Sequence, residues 1–380
     1  MSHDIETGDD QQAVRYARTH QWLALADLAL GISLMLLALA SGSSARLRGG
    51  AERVSRRFST AVYASIGIAL MSLISLPLNF YSGHVIERRF ELSNESPVSW
   101  FADWLKGAVL GALLGATFAQ GAHWVMRRWP RRWWAVLSAM LVPVSVLMVN
   151  LAPVLILPLF NKFEPIADEE MEVRIKKLAA HQGVTVSQVM TMNMSKQTKK
   201  ANAFFTGVGN TKRIVLADTM LEAFTPEEIE VVLAHELGHQ VHRDLWKLIL
   251  LQTPLTLGSF FAMQHVAPPL LHRFGAAWNI RAEDGVRDPA ALPLLALVGT
   301  GFSVLSAPIV NAVVRRAVEH RADVYSLHLT NNPSAFVTAM RKLGTMNLAD
   351  PDPPRLIKWF FHNHPTLKER IEFAERFDAD

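Results

Sequence analysis

The sequence lacks cysteine and is poor in charge. Without cysteine there can be no disulfides, thiolate metal sites or cysteine nucleophiles, so only His, Asp or Glu could bind a metal. Charged residues make up 19% of the 380 positions, against about 25% in soluble domains. The 38 basic and 34 acidic residues give a net charge of only +4. Basic and aromatic residues are not interleaved, so no nucleic-acid partner is expected.

Hydrophobic residues are abundant, at 50% of the chain, and the mean hydropathy is +0.17. A bilayer-spanning helix needs about 20 apolar residues. Six stretches satisfy this length: 22–41, 59–81, 105–126, 133–160, 247–271 and 289–314. The sequence therefore predicts a mainly α, polytopic membrane protein with about six transmembrane helices in contact with the lipid bilayer.

The N-terminal segment 1–21 is polar and carries more acidic than basic residues. A secretory signal begins with basic residues, so the stretch 22–41 is expected to be a retained span, although Ala38-Leu39-Ala40 imitates a cleavage site. Inside the spans, polar residues are costly in lipid. Such residues either join neighbouring helices or line a polar chamber, and they are Asp27, Gln120, His123 and Asn150.

Composition divides the rest of the chain. A four-span region, 22–160, is followed by a water-facing segment, 161–245, rich in Lys, Glu, Asp and Thr, and then by a two-span region, 246–314. The segment 315–380 is predicted to be helical from about Arg315 onward and to supply the remaining residues of a zinc site. The segment 161–245 is predicted to form a small α+β domain.

Local patterns predict the elements of that domain. Residues 168–182 have the pattern of an amphipathic helix, and three strands are predicted at 188–194, 203–208 and 213–217. The last two strands would form a hairpin through Gly209-Asn210-Thr211. Thr225-Pro226-Glu227-Glu228 predicts a capped helix start, with Pro at the first helical position.

That helix carries His235-Glu236-Leu237-Gly238-His239, an H-E-x-x-H sequence. Residues four apart on a helix share one face, with Cβ atoms about 5–6 Å apart. The two imidazoles can therefore both reach one Zn²⁺, while Glu236 lies beside the open coordination position as a general base toward water. A helix with two incidental histidines is the alternative, and the capped, membrane-adjoining context favours zinc.

A catalytic zinc usually takes a third protein ligand. The candidates are His242, His320, Glu319 and His364. Glu319 is favoured, because Asp323 lies one turn later and could accept the free ring N–H of a zinc histidine. His242 is disfavoured, since a ligand three residues after His239 would crowd the open position. The prediction is one Zn²⁺ per chain, bound by His235, His239 and Glu319.

The sequence resembles a known family. His235–His239 together with Glu319–Asp323 resemble the gluzincin pattern of the CAAX prenyl protease 1 family of integral-membrane zinc metallopeptidases. The resemblance covers roughly residues 59–380, in family order. It also includes the segments 76–87, 158–165, 202–207, 213–216 and 363–370.

This resemblance implies an endopeptidase that hydrolyses peptide bonds with metal-activated water. It implies that Asn202 and Ala203 hold an extended peptide or protein substrate along an edge strand. It further implies that His364 and Arg370 steady the oxyanion, and that the catalytic domain faces the cytoplasm, here of a bacterial inner membrane. The short loops on the side of the membrane opposite the 161–245 segment instead carry many arginines. Because arginine-rich loops usually face the cytoplasm, this distribution favours an external catalytic domain.

Two features depart from the family pattern. The sequence predicts six spans where the eukaryotic enzymes have seven. The stretch after the motif, 239–244, is closer to the heat-shock membrane proteases of the same superfamily. A prenylated protein and a misfolded membrane protein therefore both remain candidate substrates.

Two other functions are compatible with part of this pattern. A site-2-type intramembrane protease would carry H-E-x-x-H inside an apolar span, but the residues leading into the motif, 225–230, are polar. A transporter or scaffold could bind metal without chemistry, but it would not require Glu236 beside two ligands.

Overall fold

The computed structural model describes residues 8–207, 212–314, 318–362 and 364–377. Its α-helices are α1 (Gly8–Ala40), α2 (Ser43–Val54), α3 (Ser59–Phe80), α4 (Glu87–Arg89), α5 (Pro97–Arg128), α6 (Trp133–Leu151), α7 (Glu169–His181), α8 (Asp218–Ala223), α9 (Pro226–Val241), α10 (Asp244–Phe274), α11 (Leu292–Val314), α12 (His320–Thr330), α13 (Pro333–Asn347), α14 (Arg355–Phe361) and α15 (Leu367–Glu375). Its strands are β1 (Phe163–Pro165), β2 (Gln188–Met192), β3 (Ala203–Thr206) and β4 (Arg213–Ala217). The predicted hairpin turn at 209–211, the predicted helix start near Arg315, and Asn363 lie outside the described residues.

Six helices of the described chain are long and apolar enough to cross a membrane. They are Asp10–Ala40, Ser59–Arg89, Pro97–Arg128, Trp133–Leu159, Asp244–Phe274 and Pro289–Val314. The prediction of six spans is confirmed, but several helices extend beyond the apolar stretches. The polar turns of α1 continue the first span because Ala13 and Tyr16 are buried against Ile86 and Leu92.

The six spans form a closed ring. In the order α1, α3, α5, α6, α10 and α11, each span packs mainly on its two neighbours, and α11 returns to α1. Helices arranged in this way bury few of their side chains inside the protein, and the most apolar parts of α6 and α10 bury none. The apolar surface must therefore be covered by lipid or face the interior of the ring.

The basic stretch between the first two spans was expected to be a loop, but part of it is the helix α2. The chain reverses direction at Gly42, whose φ of 68° lies in the left-handed region that favours glycine. Ser44, Ala45 and Ala51 are buried on one face of α2. Ser44 accepts or donates a 2.6 Å hydrogen bond with Tyr63 and donates one to the carbonyl of Ala290, so tertiary contacts stabilise this short helix.

The soluble domain contains a four-stranded sheet in the order β1-β2-β4-β3. The predicted hairpin of β3 and β4 is antiparallel and confirmed. The strand β1 was not predicted, because three residues ending in Pro165 carry no alternating pattern. Strand β4 pairs in parallel with β2 on one side and in antiparallel orientation with β3 on the other, and β3 is therefore an edge strand of the sheet.

A pair of membrane helices connects the two parts of the soluble domain. Helix α9 leads into α10 through Arg243, whose φ is 55°, and α10 packs on α11, which returns toward α12. The side chains of α9, α12, α13 and the sheet share one hydrophobic core that includes Leu216, Leu233, Leu327 and Phe336. Because the first of these spans leaves the soluble side and the second returns to it, residues about 80 positions apart in the chain meet there.

Candidate active site

Helix α9 carries the H-E-x-x-H sequence and begins as predicted. Thr225 accepts a hydrogen bond from the Glu228 backbone, and the Glu228 side chain accepts one from the Thr225 backbone, which forms a capping box. Pro226 occupies the first helical position. The helix buries Ile229 and Leu233 in the core of the soluble domain, and this burial fixes its rotation relative to the sheet.

Close packing between α9 and α12 brings the two halves of the site together. A Cβ atom at Gly238 would lie 3.2 Å from Tyr325 Cδ1 and 3.3 Å from Ala322 Cα, a tight fit that glycine avoids. One turn further from the site, the buried Ser326 hydroxyl donates a 2.7 Å hydrogen bond to the Val231 carbonyl. These contacts allow Glu319, next to the start of α12, to face the histidines of α9.

His235, His239 and Glu319 form a compact group of potential metal ligands. Their ligand atoms all lie within 4.8 Å of one another. The two Nε2 atoms are 3.3 Å apart, and the Glu319 carboxylate oxygens lie 3.5 Å from His235 Nε2 and 3.8 Å from His239 Nε2. Ligands about 2.0–2.1 Å from a tetrahedral zinc are separated by about 3.3–3.4 Å. The three side chains therefore fit one zinc ion with little rearrangement.

Each histidine is oriented by a buried carboxylate. His235 Nδ1 lies 2.8 Å from Asp323 Oδ1, and His239 Nδ1 lies 3.1 Å from Asp244 Oδ2. In the neutral tautomers that these contacts favour, Nδ1 carries the proton and Nε2 carries a bare lone pair. Two such lone pairs facing each other at 3.3 Å need a positive charge between them, either a proton on one ring or a metal ion. The tautomers therefore also fit a metal.

The electrostatics of the group favour positive charge. Burial by itself would lower the pKa of His235, but hydrogen bonds to Asp323 and Glu319 outweigh burial and raise that pKa to about 9. Burial likewise opposes ionisation of Asp323, but the Arg370 guanidinium and His235 hold the pKa of Asp323 well below its usual value. The anionic surroundings that attract a proton to His235 would equally attract a divalent cation.

Asp244 is a residue that the sequence reasoning missed. The sequence patterns gave Asp244 no role at the site, yet the residue is 1% exposed. It accepts hydrogen bonds from Lys247 and Arg321 in addition to its contact with His239. Its position five residues after His239, where the chain turns into a membrane span, was the only signal that could have revealed it.

Glu236 lies beside the ligands and is not one of them. Its carboxylate accepts no hydrogen bond from any residue that the structure describes. Desolvation by the surrounding protein raises the pKa of Glu236, although His235 and His239 partly oppose the shift. A carboxylate with vacant lone pairs next to a metal group is suited to hold and deprotonate water.

The structure separates the two residues expected to steady an oxyanion. His364 Nε2 lies 3.1 Å from Glu319 Oε2, at the edge of the ligand group. Arg370 Nε and Nη2 donate hydrogen bonds of 2.9 and 2.5 Å to the two oxygens of Asp323. Asp323 contacts the ring nitrogen of His235 that faces away from the ligand group. Arg370 is thus directed at Asp323 and not at the open side, and its expected contact with an oxyanion remains a prediction.

The expected substrate residues lie at the edge of the sheet. Ala203 begins β3 and is buried, whereas Asn202 is exposed, and the Asn202 carbonyl accepts a hydrogen bond from the Ala217 backbone. Strand β3 packs against α9, and its outer side pairs with no strand in the described part of the sheet. A cavity of about 450 Å³ adjoins this region, lined by residues that include Gly207, His239 and Trp246.

The other candidate ligands lie outside the metal group. His242 packs edge-on against Tyr325, and His320 packs against Phe373. The motif helix α9 is also not one of the six membrane spans, which contradicts an intramembrane site of the site-2 type. The fold and the grouped ligands thus define the class of protein: a membrane-embedded zinc metallopeptidase.

Comparison with known proteins identifies the family. The family model described as "Peptidase family M48" matches residues 165–378. The model described as "CAAX prenyl protease N-terminal, five membrane helices" matches residues 1–162. The chain belongs to this zinc-dependent metallopeptidase family. In the described part of 1–162, four of the helices are long and apolar enough to span a membrane, and the short α2 adds a fifth helix on the side away from the metal group.

Relatives and a solved structure agree with this assignment. The chain is 30% identical to "Uncharacterized metalloprotease YhfN" of Bacillus subtilis, over 96% of this chain and 85% of that protein. It is 28% identical to "CAAX prenyl protease 1" of Saccharomyces cerevisiae, over 80% of this chain and 69% of that protein. The fold matches the crystal structure of Ste24p from S. mikatae with a TM-score of 0.86 and 23% identity, covering 99% and 91% of the two chains.

Proposed function

We propose that this membrane zinc endopeptidase binds its metal through His235, His239 and Glu319 and uses Glu236 as general base. The facing Nε2 atoms at 3.3 Å, each on an imidazole with a carboxylate behind it, support this proposal most strongly. A bound zinc supplies Lewis acidity, which lowers the pKa of water and polarises a carbonyl. Glu236 takes a proton from the attacking water and later gives it to the leaving amine.

The peptide would lie along β3, with its backbone adding to the edge of the sheet at Asn202 and Ala203. Backbone pairing would supply affinity without sequence preference, and side-chain pockets would supply specificity. His364, next to Glu319, is suited to donate a hydrogen bond to the oxygen that becomes negative. Arg370 would act through Asp323 by holding the carboxylate that orients His235.

The substrate is a peptide or protein segment at the membrane. Relatives named CAAX prenyl protease support a prenylated substrate, and the departure at 239–244 supports a misfolded membrane protein as the alternative. Purified protein should be given matched prenylated and unprenylated peptides, with a zinc chelator as control. A preference of at least about 10-fold in kcat/KM for the prenylated peptide would support the first substrate. Equal cleavage of both would support the second.

We further propose that the catalytic domain faces the cytoplasm of a bacterial inner membrane, as the family resemblance implies. The chain has no cysteine, so single cysteines report the topology without background. Glu170→Cys on α7 and Arg131→Cys on the opposite side replace exposed residues. A membrane-impermeant thiol reagent applied to spheroplasts should label Arg131→Cys only, and labelling of Glu170→Cys before lysis would reverse the assigned orientation.

A further inference from the structure

A polar cluster far along the chain from the metal ligands joins the membrane ring to the soluble domain. It consists of Tyr16 and His20 on α1, Glu87 at the end of the second span, and Lys200 just before β3. Lys200 Nζ lies 2.9 Å from Glu87 Oε2 and donates a 2.8 Å hydrogen bond to Tyr16. Tyr16 donates a 2.6 Å hydrogen bond to Glu87 Oε1, and His20 Nε2 lies 3.1 Å from the same oxygen.

The cluster is shielded from water. The Glu87 side chain is 14% exposed and that of Lys200 is 29% exposed. Tyr16 is buried and packs on Phe90. A shielded ion pair with satisfied hydrogen bonds holds its partners in one geometry, and removal of one member leaves an uncompensated charge. The Glu87–Lys200 pair therefore holds the segment before β3 in place against the second span, which an exposed ion pair between mobile side chains would not do.

The helix before Glu87 is irregular. The second span changes from α-helix to a π-helical segment, Tyr81–Ile86, and Glu87 begins the next α-helical turn. A π-helical insertion changes the direction of the following side chains and is frequent at functional sites. Here it precedes the residue that faces Lys200.

The chain around Lys200 is held from three directions. The segment before it pairs with the loop that follows the second span, because Lys199 donates its backbone N–H to Leu92 O at 2.8 Å. The Lys200 carbonyl accepts a 2.7 Å hydrogen bond from the Thr219 hydroxyl. Asn347, at the end of α13, donates to the Ala201 carbonyl and accepts from the Ala201 N–H. Asn202 and β3 follow directly, so this anchorage sets where the edge strand begins.

We propose that Glu87, Lys200 and Tyr16 are positioning residues that fix the start of β3 for substrate. They do not touch the metal group or the reacting atoms. This inference rests on the proposed function in one respect, namely that the substrate pairs with β3. A peptide added to a strand edge binds best when that edge is already ordered, because an edge strand that must be ordered on binding weakens substrate affinity. The first two spans of the ring would therefore control substrate alignment.

The test compares Glu87→Gln and Lys200→Met with Lys200→Arg, Tyr16→Phe and a matched control. The control, Glu52→Gln, removes the carboxylate that Arg281 binds through two hydrogen bonds of 2.6 and 2.7 Å on the other side of the membrane. For a peptide long enough to lie along β3, Glu87→Gln and Lys200→Met should raise KM by about 10-fold or more, because the binding edge is no longer preorganised. The effect on kcat should be smaller. Lys200→Arg, which keeps the positive charge, should have a KM much closer to that of the wild type than Lys200→Met has.

A purely structural defect would also affect the metal group. Zinc content and the inhibition constant of acetohydroxamate, a small metal-binding probe that does not reach β3, should therefore stay within about twofold of wild type. Parallel weakening of acetohydroxamate would overturn the inference. An unchanged KM in both Glu87→Gln and Lys200→Met, or the same rise in Glu52→Gln, would overturn it too.

Hydrogen exchange tests the anchorage without activity. Backbone amides in 198–206 should exchange about 10-fold faster in Glu87→Gln and Lys200→Met than in wild type, and Glu52→Gln should show no such change. Tyr16→Phe should produce a smaller increase, which keeps the test usable if either charge variant fails to fold. Unchanged exchange refutes the anchorage even if the wild type cleaves peptide. An inactive wild type refutes the proposed function, while exchange still decides the inference.

Discussion

The two carboxylates behind the zinc histidines should be equivalent for metal binding and unequal for stability. Asp244→Asn and Asp323→Asn each replace the charged acceptor of one Nδ1–H with a neutral amide, and mutation of such a partner typically costs about 10–100-fold in metal affinity. That range corresponds to about 1.4–2.7 kcal/mol. We expect both variants to lose zinc affinity within this range, because the two contacts have similar geometry, 3.1 and 2.8 Å.

The cationic partners of the two carboxylates differ in exposure. Arg370 is 11% exposed and binds both oxygens of Asp323, and removal of one member of a buried pair costs about 3–5 kcal/mol. The partners of Asp244 are more exposed, Arg321 at 37% and Lys247 at 48%, and exposed pairs contribute about 0–1 kcal/mol each. Asp323→Asn should therefore destabilise the zinc-free protein by at least about 1–2 kcal/mol more than Asp244→Asn.

Zinc affinity is measured by competition with a chromophoric chelator, and stability by thermal unfolding of the zinc-free protein in detergent. Asp218→Asn is a control, since that carboxylate accepts hydrogen bonds from Ser195 and Thr219 in the same domain and should not alter zinc affinity. Wild-type affinity in Asp244→Asn would refute its assigned role. Equal melting temperatures of the two variants would refute the argument from exposure.

Four further outcomes are expected. Glu236→Gln should retain one zinc per chain and lose about 10²–10⁴-fold in kcat/KM, as checked by metal analysis and peptide cleavage; normal turnover would reject the mechanism. Glu319→Ala should lower bound zinc well below one per chain, and full occupancy would exclude it as a ligand. Gly238→Ala should destabilise by about 1–3 kcal/mol, because its methyl group would press on Tyr325 and the backbone of Ala322; an unchanged melting temperature would contradict this packing. Chelation should abolish cleavage, and added zinc should restore it.

Local patterns were sufficient wherever neighbouring residues determine the structure. Six apolar stretches of bilayer length gave six spans, and the Thr225–Glu228 capping box formed as predicted. Strand β4 has the predicted bounds, Arg213–Ala217. In each case a residue's environment follows from its own polarity or from partners within four positions, which periodicity and capping rules describe.

Patterns were insufficient wherever distant segments meet. Strand β1 has only three residues and forms because β2 lies beside it. The helix α2 is stabilised by contacts to Tyr63 and to the carbonyl of Ala290. Neither element was predicted, because the contacts that stabilise each of them come from residues outside the element.

The amino-acid sequence is enough to establish which chemical groups are available: no thiolates, an H-E-x-x-H helix, and a carboxylate pair one turn apart at Glu319 and Asp323. The tertiary structure brings particular members of this set together. It groups Glu319, and neither His242 nor His320, with the two histidines, places Asp244 beside His239, and pairs Arg370 with Asp323. The physical reason is that spacing along one helix fixes distances only within that helix. Distances between α9, α12 and β3 depend on how two membrane spans and a shared core bring the segments together.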